Sequence, residues 1–262
     1  MKRIALILAF STLAAFTSAA QEKPKPDAQG KPEAAKTEAK AAALPSVDDI
    51  LDKHAKAVGG KEAVEKIKSR SMTGTFDLEA LGVTGAPVEM FAKAPNKSAM
   101  KIDVPNFGAV KRVFDGATGW HSDPMSGLRE LSGVELAQQK RDSDLYLDVN
   151  YKKYFTKMEV KGKEKVGSYE TYVIEATPTE GSPEKLYFDV NTGLLVRHDI
   201  EAEGPEGKTP AESYMDDYKA VDGVKIAHTL RLVTPSISWV IKFTEVKNNA
   251  EIDDAKFNKP SN

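Results

Sequence analysis

The side chains that could carry out chemistry are few and widely spaced in this sequence. The chain has 262 residues with no cysteine, and its four histidines are far apart. Without a thiol, cysteine nucleophiles, disulfides and zinc–thiolate sites are excluded. The nucleophile-elbow, zinc-helix and phosphate-loop motifs are also missing from the sequence. The pattern therefore predicts a protein that is not an enzyme and that needs no metal and no cofactor.

Two of the histidines, His121 and His228, lie where they could contact a ligand. His121 precedes Asp123 at the end of a predicted strand. A metal site needs three or more converging ligands, so a turn with a capping aspartate is the favoured interpretation. His228 falls on the apolar face of another strand. It could orient a ligand there, although a core histidine bonded to the backbone is the more common role. Catalysis by these residues is the disfavoured alternative.

A run of strands from residue 183 to 247 must position His228. The turns Asn-Thr-Gly at 191–193 and Asp-Gly at 222–223 separate alternating apolar segments, which predicts an antiparallel meander. Alternation gives two of its strands one apolar face each. The residues on that face, and so the candidates to line a binding site, are Ile226, His228, Leu230, Trp239, Ile241 and Phe243.

The rest of the chain supplies more strands and the helices that cover them. A capping-box pattern at Ser46 starts a helix that ends at Gly59-Gly60. Strands begin at residue 71, and a helical segment at 134–154 interrupts them. About eleven strands are too many for one flat sheet. The sequence therefore predicts a mainly β fold with helices (α+β), an unclosed antiparallel β-barrel whose concave face is covered by helices.

The segment before that helical stretch is predicted to form a lid. Residues 123–133 contain Pro and Gly and indicate a loop, and the large apolar side chains of Trp120, Met125 and Leu128 lie on or beside it. Such side chains are costly to leave in water, so they either plug the mouth of the half-barrel or touch a ligand inside it. The alternative is that Met125 and Leu128 are ordinary core beneath a long loop.

The N-terminal segment is predicted to lie outside the folded domain. Residues 1–20 combine a basic start, an apolar stretch and a small-residue cleavage site, which indicates a bacterial secretory signal cleaved after Ala20. A membrane anchor is the alternative, but the apolar run is short for a bilayer. Residues 21–44, rich in Lys, Pro and Ala, indicate a disordered tether. The folded domain is therefore expected at 45–262, in the periplasm.

Four motifs, in their order along the chain, resemble those of one family. They are ILDKHAKAVGGKEAVEKIKS, FDGATGWHSDP, YFDVNTGLLVR, and the turn from Tyr218 to Lys225. Together they resemble the outer-membrane lipoprotein-sorting (LolA/LolB-like) superfamily of periplasmic carriers, over Pro45 to Pro260. The resemblance implies an unclosed barrel of about eleven antiparallel strands, which agrees with the strand signals. It also implies that lipoprotein acyl chains or other lipids bind in the covered concave space.

Two functional hypotheses result. The first is a periplasmic carrier or sensor of an amphiphile. Its expected partners are lipoprotein acyl chains or other lipids, and the lipoprotein machinery of the inner or outer membrane. The second is a non-enzymatic binding or scaffold module with a filled cavity, which docks a protein partner on a free strand edge or through the Lys/Pro/Ala-rich tether. The net charge of −2 does not indicate nucleic acid as a partner. The processed chain is not expected to span a membrane.

Overall fold

The structure is a computed structural model, and it describes residues 43–204 and 207–261. The predicted signal peptide and nearly all of the predicted tether lie outside the described residues, so both stay predictions. Within the described residues, no helix is long and apolar enough to cross a membrane. The described chain begins with two helices and continues into strands that a helical insertion interrupts.

Four α-helices and three short 3-10 turns accompany thirteen strands in the described residues. The helices are α1 (Val47–Ala57), α2 (Lys61–Glu65), α3 (Gly133–Asp142) and α4 (Leu147–Asn150), and the 3-10 turns are Glu79–Leu81, Tyr151–Lys153 and Asp254–Phe257. The strands are β1 (Ser69–Leu78), β2 (Val83–Lys93), β3 (Lys97–Val104), β4 (Gly108–Phe114), β5 (Gly119–Asp123), β6 (Gly127–Glu130), β7 (Phe155–Val166), β8 (Tyr169–Pro178), β9 (Glu184–Asp189), β10 (Leu195–Gly204), β11 (Gly207–Val221), β12 (Val224–Val233) and β13 (Ser238–Asn248).

All thirteen strands form one antiparallel sheet that does not close into a barrel. Its order from edge to edge is β6-β5-β4-β3-β2-β1-β13-β12-β11-β10-β9-β8-β7. Each strand therefore pairs with its neighbour in sequence, apart from the junction where β1 pairs with β13 and the break between β6 and β7, the two edges. The predicted mainly β, unclosed architecture is confirmed. The count is thirteen rather than about eleven, the number that the strand signals predict.

One additional strand lies where a loop is predicted, so that part of the prediction is wrong. Gly127–Glu130, within 123–133, forms β6 and pairs with β5. The turn between the two strands is held by the Asp123 carboxylate, which accepts hydrogen bonds from the backbone N–H of Met125 at 2.7 Å and of Ser126 at 2.8 Å. Asp, Pro, Ser and Gly are turn formers, and here they conceal a short hairpin.

The sheet has an inner face, on which the helices pack, and an outer face. Residues opposite each other on neighbouring strands share a face, and residues along a strand alternate between faces. On the inner face, Ile50 of α1 packs against Ile174, Leu186 and Phe188 of β8 and β9. These three strand residues are fully buried. The main core therefore lies between α1 and the β7–β10 half of the sheet.

Helix α3 bridges the two halves of the sheet across the inner face. On one side, Gln138 donates a hydrogen bond to the backbone carbonyl of Glu201 in β10 at 3.1 Å. On the other side, Gln139 donates to the hydroxyl of Ser98 in β3 at 3.1 Å. Because these two glutamines are adjacent, the halves must curl towards each other until one helix reaches both. The helical insertion thus covers a half-barrel, as the sequence predicts.

Helix α1 is fixed at both ends. At its start, the Ser46 hydroxyl accepts a hydrogen bond from the Asp49 backbone N–H at 3.1 Å, and the Asp49 carboxylate accepts one from the Ser46 backbone N–H at 3.0 Å. This is the predicted capping box. After its end, Gly59 has a φ of +124° and lies against the β11–β12 turn, where a Cβ would come within 2.2 Å of the Gly223 carbonyl oxygen. Only glycine fits this approach.

Candidate functional site

Strands β1–β4, β12 and β13 contribute an apolar strip to the inner face. Ile241 of β13 lies opposite Phe76 of β1 and Leu230 of β12, and the ring centroids of Phe76 and Trp239 are 5.9 Å apart. Phe76 and Ile241 are buried, but other members are only half-buried, so solvent still reaches the apolar surface. We call this the inner-face strip. Its buried members are Phe76, Leu78, Ala86, Val88, Ile102, Ile241 and Phe243. Its half-buried members are Met72, Val83, Met90, Met100, Val104, Val110, Leu230, Ile237, Trp239 and Val246.

Most of the residues predicted from the meander meet in the inner-face strip. These are Leu230, Trp239, Ile241 and Phe243. Ile226 lies near the start of β12 and packs instead with Val64 of α2 and with Ile67. Alternation therefore identifies the correct face of both strands, while the helices divide that face into a covered part around Ile226 and the less covered strip.

His228 is a buried residue between these two parts. Only 7% of it is exposed, and its ring Nδ1 lies 2.9 Å from the backbone carbonyl oxygen of Ile226. This is the arrangement of a core histidine bonded to the backbone, which is the favoured interpretation of the sequence.

Trp120 and Leu128 lie on the opposite, outer face of the sheet. They pack with Val113 of β4 and with Ile252 and Phe257 of the C-terminal segment. Met125 lies at the tip of the β5–β6 turn and is 45% exposed. The predicted lid over the concave face is therefore wrong for this segment, because β5 pairs in a register that turns Trp120 outward. Helix α3, which follows β6 in the chain, crosses the inner face instead.

A polar cluster continues the inner-face strip towards the β6 edge. Met90 lies opposite Met100, and Met100 lies opposite Arg112. Arg112 in turn lies opposite His121, and His121 opposite Arg129. Cβ atoms of such directly opposed residues are about 5 Å apart. An apolar row of methionines therefore runs directly into a row of two guanidinium groups and an imidazole.

Glu135 of α3 binds both arginines of this row. Its carboxylate accepts hydrogen bonds from Nη1 and Nη2 of Arg129 at 2.6 and 2.8 Å, and from Nη1 of Arg112 at 3.2 Å. Arg112 also donates to the side chain of Gln139. Burial alone would raise the pKa of Glu135, but the hydrogen bonds and positive charges of the arginines outweigh it and lower that pKa below its usual range. The carboxylate is therefore ionised at neutral pH.

His121 lies between the two arginines and is neutral at neutral pH. Burial, together with the positive charges of Arg112 and Arg129, lowers the pKa of His121. Its Nε2 is 3.1 Å from a carboxylate oxygen of Asp123, while its buried Nδ1 has no hydrogen-bond partner among the described residues. Asp123 thus belongs to a turn, as predicted. No group of His, Cys, Asp or Glu suited to a metal ion occurs in 43–204 and 207–261.

The sequence does not single out Arg112, Arg129 or Glu135. Arg112 shares one face of β4 with Val110 and Phe114, but alternation does not show that this face is the one that the helices cover. Arg129 lies in the segment predicted as a loop, and Glu135 looks like an ordinary exposed helix residue. Their convergence depends on the β5–β6 hairpin and on the packing of α3, neither of which a local pattern contains.

Two cavities lie against the sheet. One, of about 670 Å³, is bounded by the β12–β13 turn and the 3-10 turn Glu79–Leu81, and includes Ile237 and Trp239 in its wall. It therefore opens beside one end of the inner-face strip. The other, of about 330 Å³, lies on the outer face beneath the C-terminal segment and is bordered by Lys101 and Lys111.

Solved structures with the same fold carry descriptions that agree with the resemblance predicted from the sequence. A DUF1329 family protein from Desulfovibrio piger matches with a TM-score of 0.54 and 16% identity, over 81% of this chain and 97% of that one. An outer membrane lipoprotein-sorting protein domain from Vibrio parahaemolyticus matches with a TM-score of 0.53 and 14% identity, over 80% and 97%. A LolA superfamily protein from Nitrosomonas europaea matches with a TM-score of 0.52 and 12% identity, over 82% and 99%.

No family model matches the sequence, and no curated protein matches it. At the identities above, the structural matches establish the fold alone. The resemblance to the LolA-like superfamily is confirmed at that level.

Proposed function

We propose, on the premise of a fold shared with LolA-like and lipoprotein-sorting domains, that this protein binds an amphiphile on its inner face as a carrier or sensor. The observation that carries the proposal is the inner-face strip, an apolar surface of which many members are only half-buried. Apolar side chains that line a concave, partly covered surface are typical of a lipid site.

The strip suits an acyl chain in its composition. Met72, Met90 and Met100 lie opposite one another on β1, β2 and β3, and methionine adapts its shape to different apolar partners. Each buried methylene contributes about 0.8 kcal/mol, so a chain of about fourteen carbons would gain roughly 8–11 kcal/mol before ordering costs. This suffices for retention of the chain without any catalytic group.

The location and partners belong to the same proposal. A signal cleaved after Ala20 would deliver the protein to the periplasm. There its cargo would be a lipoprotein acyl chain or another lipid, in traffic towards the outer membrane. Donor and acceptor would be lipoprotein machinery of the two membranes.

The scaffold function is a second candidate, favoured by the close packing of one half of the inner face. Under α1, residues such as Ile174 and Leu186 are fully buried and leave no surface for a ligand. If the inner-face strip is also closed to ligands in solution, the protein would instead bind a protein partner through a strand edge. Of the two edges, β7 is less suited to this role than β6, because the lysines of β7 and its irregularity at Val160/Gly162 discourage pairing with another strand.

Native mass spectrometry of gently purified protein, with displacement of a fluorescent fatty acid by unlabelled lipids, tests the proposal. We expect a co-purifying or added amphiphile to bind. Leu230→Asn should weaken binding about tenfold, because it places an amide in the strip. Val233→Asn, on the outer side of the same strand, should leave it unchanged. If no amphiphile binds to the folded protein, the carrier function is wrong and the scaffold function is favoured.

A further inference from the structure

We propose that Arg112 and Arg129 form a head-group site for an anionic amphiphile, a site that rests on the proposed function. The ligand class is a carboxylate or phosphate that carries an apolar chain. The chain would lie on the inner-face strip and the acid group would bind the two guanidinium groups.

The geometry places the two halves of such a ligand side by side. Met100 lies directly opposite Arg112 on the neighbouring strand, so the apolar row and the charged row are continuous on one face. Guanidinium forks bind carboxylates and phosphates through paired hydrogen bonds. An amphiphile with its chain along Met90 and Met100 would therefore present its head group to Arg112, and to Arg129 beyond His121.

Glu135 already shows the binding that a ligand's acid group would make. Its carboxylate engages Arg129 through two hydrogen bonds of 2.6 and 2.8 Å and Arg112 through one of 3.2 Å. The side chain of Glu135 is 12% exposed, while those of Arg112 and Arg129 are 30% and 28% exposed. The arginines are therefore accessible to a second acid group, and the Glu135 carboxylate acts as an internal competitor for them.

The charge balance leaves room for a further anion. Two guanidinium groups face the single carboxylate of Glu135 in direct contact. Asp123 is engaged by His121 and by its own turn, and Asp142 contacts Arg141, at 3.3 Å. A ligand acid would thus either join Glu135 at the arginines or replace it, and α3 would keep its separate contacts with β9 and β10.

The experiment compares dodecanoate, dodecyl phosphate and dodecanol, which share one chain length, as competitors for a neutral fluorescent lipid probe on the full protein. We expect the two anions to bind about tenfold more tightly than the alcohol, because hydrogen bonds to charged groups are the stronger ones. Arg129→Gln should remove most of this preference and leave dodecanol binding unchanged. Lys111→Gln removes one positive charge from the outer face beside Arg112, and serves as the matched control that keeps the preference.

Glu135→Gln is a second test variant. Its expected effect on binding is one that a purely structural role of Glu135 would not produce. It removes the internal competitor, so we expect dodecanoate to bind severalfold more tightly, with dodecanol unaffected. This variant also covers the case in which Arg129→Gln does not fold. Circular dichroism of each variant establishes that the fold is kept.

The outcomes separate the two proposals. Equal affinity for the acids and the alcohol, unchanged in both variants, overturns the head-group site and leaves the carrier function standing. Absence of binding by all three compounds contradicts the carrier function itself. Inorganic phosphate serves as the probe without a chain: if it displaces as well as dodecyl phosphate does, the arginines form a simple anion site and the head-group proposal is wrong.

Discussion

Arg141 of α3 and Glu184 of β9 form an ion pair across the inner face, with Nη1 and Oε1 2.9 Å apart. Their side chains are only 5% and 1% exposed. The other oxygen of Glu184 lies 2.8 Å from Nε2 of His198. A buried pair that joins a helix to the sheet fixes the position of that helix, and here the helix is the one that carries Glu135 over the arginines.

Removing one partner of this pair should destabilise the protein strongly. We expect Arg141→Met to lower the free energy of unfolding by about 3–5 kcal/mol, because it leaves the Glu184 carboxylate buried without its guanidinium partner. Urea unfolding followed by circular dichroism measures the change. The double variant Arg141→Met/Glu184→Gln is the control. It should recover most of the loss, and a double variant as unstable as the single one would contradict this account.

The close approach of α1 to the β11–β12 turn gives a second prediction. Gly59→Ala would place a Cβ 2.2 Å from the Gly223 carbonyl oxygen, at a φ of +124°. We expect a loss of at least about 2 kcal/mol from the clash and the backbone strain together. Gly60 also has a positive φ, of +87°, but nothing lies within 4 Å of its Cβ, so Gly60→Ala carries backbone strain without the clash. It should cost less than Gly59→Ala, about 1–3 kcal/mol from the strained backbone alone. Thermal unfolding measures the loss of stability in each variant. Equal losses in Gly59→Ala and Gly60→Ala would show that the contact between Gly59 and Gly223 is not tight.

The fold follows from the sequence more completely than the site does. Alternation along β12 and β13 places Leu230, Trp239 and Ile241 on one face, and the capping box at Ser46 starts α1 where it is predicted. These signals are local, so they can be identified from the sequence alone. Tight turns also favour antiparallel pairing of consecutive strands, but the pairing of β1 with β13 joins distant parts of the chain and does not follow from a turn.

The positions of Trp120 and of the arginines do not follow from local signals. Alternation shows that Trp120 and His121 point to opposite faces, but not which face the helices cover. Arg112 and Arg129 converge only because β5 lies between β4 and β6. This arrangement depends on a short hairpin whose turn residues indicate a loop. Prediction fails where non-local pairing decides which side chains meet.

The lowered pKa of His121 predicts a pH dependence of stability. Its pKa in the folded protein lies below the ordinary value of 6.5, because of burial and the two arginines. The unfolded chain therefore binds a proton more readily than the folded one. The stability from this residue is fully present above pH 6.5 and is lost as the pH falls towards the folded pKa.

Urea unfolding of the wild type and of His121→Gln across this range isolates the contribution. The wild type should lose more stability than the variant as the medium becomes acidic. NMR titration of the ring protons should give a pKa for His121 below 6.5, and Arg129→Gln should move it upward. A pKa of His121 above the ordinary value would contradict the arrangement of the cluster.

The two tryptophans lie on opposite faces of the sheet and can report which face a ligand occupies. Trp239 belongs to the inner-face strip, while Trp120 packs under Phe257 on the outer face. In Trp120→Phe, the fluorescence of Trp239 should shift to shorter wavelength when dodecanol is added, because the ligand displaces water from a half-buried ring. In Trp239→Phe, the fluorescence of Trp120 should not respond. Adding Phe257→Ala to the latter variant exposes Trp120 and supplies a positive control for that reporter. If Trp120 responds and Trp239 does not, the ligand lies beneath the C-terminal segment, and the inner-face strip is not its site.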